Sequence, residues 1–97
     1  MEFASLHPRN EFGHIRFPPD SRLRVEMFGE ESMEHPAKAN LYMLQELVQW
    51  VSAPNELLMD IMAGGGSLLV ALPMNRRLVL VELKEKYHRM ELLALDN

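Results

Sequence analysis

A chain of 97 residues makes one domain at most, and it buries a smaller share of its surface than a larger enzyme domain does. Apolar residues are 47% of the total, enough for a packed core, and the net charge is −4, which leaves no global basic field to hold nucleic acid. The charges are evenly spread, with five basic and seven acidic side chains in residues 1–40 and the same numbers in residues 41–97. There is no cysteine, which excludes disulfides and thiolate metal sites, and His7, His14, His35 and His88 lack the spacing of metal ligands. No apolar run approaches the roughly 20 residues of a membrane span. The opening Met1-Glu2-Phe3-Ala4-Ser5 lacks the basic-then-apolar order of a signal peptide, so a cytoplasmic protein is the expectation.

Residues 1–32 read as an N-terminal arm. Pro8, Gly13, Pro18 and Pro19 punctuate it, and Phe3, Phe12, Ile15 and Phe17 are its candidate anchors on a core. Its arginines are expected to be solvated, with a DNA contact as the less favoured alternative. Arg24-Val25-Glu26-Met27-Phe28 alternates polar and apolar, which predicts a short strand, and Gly29-Glu30-Glu31-Ser32 a polar turn. The first clear helix starts after Asn40, a good N-cap, with Leu41, Leu44, Leu47, Val48 and Val51 at helical spacing. Trp50, near its end, is expected to pack rather than to stack on a base.

Leu57 to Ile61 reads as a core strand, apolar enough for a parallel strand buried on both faces. It runs into Gly64-Gly65-Gly66, then a second helix from Ser67 to about Leu72, stopped by Pro73. Asn75-Arg76-Arg77 is a polar turn, Leu78 to Val81 a second core strand, and Lys84 to Leu95 a third helix with Tyr87, Met90 and Leu93 on one face. Two strands joined by a helical crossover should be parallel. The fold class is therefore α/β: a partial Rossmann-like βαβ unit, a short parallel sheet flanked by helices, with an irregular N-terminal arm. So small a sheet leaves edges that seek partners, which predicts self-association or a complementing subunit.

Strand, glycine turn and helix is the opening of a nucleotide-type unit. Glycines admit positive φ and leave no Cβ in a ligand's way, and the following helix aims free N–H groups at the turn. Glu82, fifteen residues after Ser67, sits where a ribose is commonly held. A P-loop would need Lys after its last glycine, where Ser67-Leu68 stand, and the dinucleotide fingerprint would need glycine at Leu69. The plainer alternatives are a tight strand–helix turn and an exposed strand-end acid.

Asp60-Ile61-Met62-Ala63-Gly64-Gly65-Gly66-Ser67 resembles the D-x-F-x-G-x-G-S/T motif of S-adenosylmethionine-dependent DNA methyltransferases of the amino-methylating class, with Met62 in the place of Phe. These enzymes make N6-methyladenine or N4-methylcytosine. His35-Pro36-Ala37-Lys38-Ala39-Asn40 is similar to the family's H-P-x-Q/K-x-P segment, with Asn40 in the place of Pro. Val79-Leu80-Val81-Glu82-Leu83, followed by Tyr87, is similar to its strand–acid–Tyr element. The resemblance covers about residues 33–92 and implies an S-adenosylmethionine-binding half-domain over residues 33–97. By resemblance, backbone amides of Gly64 and Gly66, with Ala63 and Ser67, meet the methionine carboxylate. Asp60 accepts from the cofactor ammonium or a water, and Glu82 accepts from the ribose hydroxyls. Met62 and Leu83 flank the adenine, while Lys38 and Asn40 close the methionine end; His35 is a further cofactor-binding candidate, its plainer reading a surface residue. DNA would be the partner of a full-length or partner-completed enzyme.

The family's catalytic Asp/Asn/Ser-Pro-Pro-Tyr/Phe/Trp segment, which holds a flipped-out base, is missing from this chain. Phe17-Pro18-Pro19-Asp20 has the prolines but the wrong flanks, so no catalytic residue is assigned. The competing expectation is a small oligomeric structural or interaction protein that keeps a degenerate methyltransferase fold without activity.

Overall fold

The computed structural model describes residues 2–30, 38–61, 66–82, 85 and 89. The order is helix α1 (Ser21–Phe28), helix α2 (Leu41–Val51), strand β1 (Leu57–Asp60), a 3₁₀ helix (Ser67–Ala71) and strand β2 (Arg77–Leu80). The two strands pair in parallel, Leu57 opposite Arg77 through Asp60 opposite Leu80. Arg77 N–H to Glu56 O at 2.9 Å and Val81 N–H to Asp60 O at 2.8 Å extend the ladder at both ends. This is a mixed α/β fold with a partial Rossmann-like unit, as the residue pattern predicts.

Three local expectations need correction. Residues 24–28 form the second half of α1, not a strand. Five alternating residues do not separate a period of 2 from one of 3.6. Tertiary packing settles the matter by turning Leu23, Met27 and Phe28 together onto the core. Gly29, at φ 86°, then stops the helix while its N–H donates to Val25 O. The segment after the glycines is a 3₁₀ helix of five residues, short enough to fit between strands only four residues long. Finally, β1 is not buried on both faces: Leu57 is 54% and Met59 63% exposed. The third helix lies outside the described residues apart from Glu85 and Arg89, which are helical and linked by a 3.3 Å ion pair.

The core is one cluster of Phe28, Leu41, Leu69 and Val70, with Leu23, Met27, Leu44, Leu78 and Leu80 packed against it. Thus α1, α2, the 3₁₀ helix and the inner face of β2 share one apolar centre. Helix α2 starts where expected, with Asn40 Oδ1 accepting from Met43 N–H at 3.1 Å. Its Leu41 and Val48 are buried, while Val51 is exposed. Buried Arg76 ties the end of α2 to the turn before β2 through Ser52 Oγ at 3.0 Å and Ser52 O at 2.8 Å.

The arm is a loop closed by local turns. Arg9 and Ile15 form an antiparallel bridge around a turn in which Asn10 Oδ1 accepts from the N–H groups of Phe12 and His14. Phe3 meets Trp50 edge-on at 5.6 Å, and His7 Nε2 lies 3.3 Å from Glu46 Oε1, so the arm lies along α2. Of its expected anchors, Phe12 is exposed.

Candidate functional site

The carboxyl ends of the two parallel strands define one edge of the unit. Asp60 is the last residue of β1, and Glu82 lies two residues beyond the end of β2. Both are half-buried, and the ladder bond from Val81 N–H to Asp60 O holds the two strand ends together. In open α/β sheets this edge is where ligands bind.

Gly66, the described end of the glycine turn, lies in the connection between the two strands. Gly66 is buried, has φ 84° and ψ 31°, and caps the 3₁₀ helix, its carbonyl accepting from Leu69 N–H at 2.8 Å. An L-residue in this left-handed conformation would cost about 1 kcal/mol, so the conformation favours glycine here. Met62, Ala63, Gly64, Leu83 and His35 lie outside the described residues.

Ser67 follows, and here the structure brings in residues that motif reading misses. Arg24 of α1 reaches across with Nη1 donating to Ser67 Oγ at 2.8 Å. Its Nη2 donates to Asp20 Oδ2 at 3.1 Å and to the carbonyl of Ala39. Asp20 Oδ2 also accepts from Leu41 N–H, at 2.7 Å, at the start of α2. Asn40 uses its side-chain oxygen on Met43 and donates from Nδ2 to Pro18 O at 2.9 Å. The Phe17-Pro18-Pro19-Asp20 segment, the start of α2 and the exit of the glycine turn thus meet at one point. Lys38 stands one residue before Ala39 and is half-buried.

Arg24 is only 2% exposed, and its Nε, also buried, is without a hydrogen-bond partner. Its guanidinium carbon lies 6.0 Å from the Phe28 ring centroid. The sequence did carry a signal for this pair: Asp20 and Arg24 are four apart on a helix entry, and Arg24 stands between Leu23 and Met27 on the apolar stripe. Among the described residues there is no group of acidic or histidine side chains arranged for a metal ion.

The carboxyl edge of the parallel pair thus carries two half-buried acids at adjacent strand ends, with the left-handed Gly66 in the connection between the strands. Over 56 residues, 57% of its length, the chain is 41% identical to the Escherichia coli K12 protein "Putative methylase YubD". It spans a quarter of that protein's length. No family model matches the chain, and no solved structure matches it.

Proposed function

We propose that this chain is the S-adenosylmethionine-binding part of a methyltransferase that acts on DNA base amines, adenine N6 or cytosine N4. The observation that carries the reading is the shared strand edge: Asp60 ends β1, Glu82 follows β2, and Gly66 closes the turn between them in the left-handed conformation. The similarity to a methylase over more than half of the chain supports the same class.

The chemistry of the candidate residues suits the cofactor. An anionic carboxylate suits backbone amides at a bend without side chains, which Gly64, Gly66 and Ser67 would supply with Ala63. Glu82 would accept from both ribose hydroxyls, since an ionised carboxylate offers two acceptor oxygens. Asp60 would face the ammonium, Met62 and Leu83 the adenine, and Lys38 and Asn40 the methionine end, with His35 a further candidate. When bound, the cofactor supplies an electrophilic methyl on a sulfonium. This chain's residues hold and orient it, and the base amine would be presented by residues of a longer polypeptide or a partner that carries the Pro-Pro tetrapeptide.

Calorimetry with S-adenosylhomocysteine tests the reading. Binding heat from the wild type, lost in Glu82→Ala, is the expected result; silence from the wild type at millimolar ligand overturns it.

A second reading, an oligomeric interaction or structural protein without activity, is favoured by the outer face of the sheet. Leu57, Met59, Ile61, Val79 and Val81 are all exposed there.

A further inference from the structure

We infer that Arg24 is a positioning residue for the glycine turn: its guanidinium locks Ser67, the residue that leaves the turn, to the start of α2, and so sets the turn's grip on an anionic ligand group. The inference rests on the cofactor reading for the identity of that group, and on geometry alone for the lock.

A buried arginine is costly, the more so here because its Nε goes without a partner, and what offsets that cost is the use made of its remaining donors. Here Nη1 and Nη2 serve three acceptors on three segments: Ser67 Oγ, Asp20 Oδ2 and Ala39 O. Those segments are far apart in the chain, with Arg24 and Ser67 separated by 43 residues. A side chain placed only for stability could be apolar at this point, because its neighbours Leu23, Met27 and Phe28 already pack on the core. A fork of fixed geometry does what an apolar side chain cannot: it specifies the distance and angle between Ser67 and the α2 entry. Asp20 completes the device by gripping Leu41 N–H from the same oxygen that takes Arg24. The exit of the turn, Gly66 and Ser67, is therefore held by the fold itself, so less binding free energy goes into fixing it.

Arg24→Lys keeps the charge beside Asp20 but loses the fork, and Ser67→Ala removes one acceptor while leaving Arg24 on Asp20 and Ala39. Amide hydrogen exchange is measured on wild type, both single variants and the double variant, each with and without S-adenosylhomocysteine. About tenfold faster exchange confined to residues 66–69 and 41–43 is expected in Arg24→Lys. Its ligand affinity should fall about tenfold, with Ser67→Ala adding under about twofold in the double variant because both act on one contact. Wild-type exchange and affinity in Arg24→Lys overturn the inference. So does a uniform rise across the chain, which would mark a purely structural role. Should Arg24→Lys fail to fold, Ser67→Ala decides: local loosening at 66–69 supports the lock, and unchanged protection refutes it. No heat from the wild type would remove the cofactor reading, while the exchange comparison still decides whether Arg24 holds the turn.

Discussion

Asp20 Oδ2 accepts from both the Arg24 guanidinium and Leu41 N–H, so one carboxylate oxygen serves a buried cation and a helix entry at once. Asp20→Ala is expected to cost about 3 kcal/mol, since it strands a buried charge and frees a helix-start donor together. Urea unfolding with an unchanged slope and a lowered midpoint is the check. At this scale the sequence was half legible. Asp60, Gly66 and Glu82 could be picked out because a glycine run and an acid after an apolar strand are local signals. The Asp20–Arg24 pairing had a local signal in its four-residue spacing, but the link from Arg24 to Ser67 had none, because no local spacing encodes a contact between residues 24 and 67. Asn40, singled out for a ligand role, has its side-chain amide engaged by Met43 N–H and Pro18 O.

At the scale of elements, α2 was the most legible because cap and periodicity agree. Asn40→Ala removes the Oδ1 acceptor of Met43 N–H and the tie to Pro18, and it should lower stability by about 1 kcal/mol. Thermal unfolding followed by circular dichroism would read this as a fall of several degrees. The helical nature of residues 21–28 was hidden because alternation over five positions mimicked a strand, and only the docking of Phe28 beside Leu41 reveals the true period. The parallel pairing was legible from the two apolar runs and their crossover. The exposure of β1 was not, since a continuous apolar run reads the same whether one face or both are covered.

For the whole molecule, the sheet has an inner face on the core and an outer face of exposed apolar side chains, including Ile61 at 70% exposure. Two short strands are a small sheet to stand alone. Self-association at micromolar concentration is expected in sedimentation equilibrium, and Met59→Lys with Val79→Lys should shift the chain toward monomer. A wild type that stays monomeric at that concentration would count against this expectation. That outer face also bears on how the protein can be made. A greasy strand pair released from the ribosome uncovered is a client for chaperones and a seed for inclusion bodies. Yield of folded protein should therefore rise with slower, cooler expression, and Met59→Lys with Val79→Lys should raise the soluble fraction further.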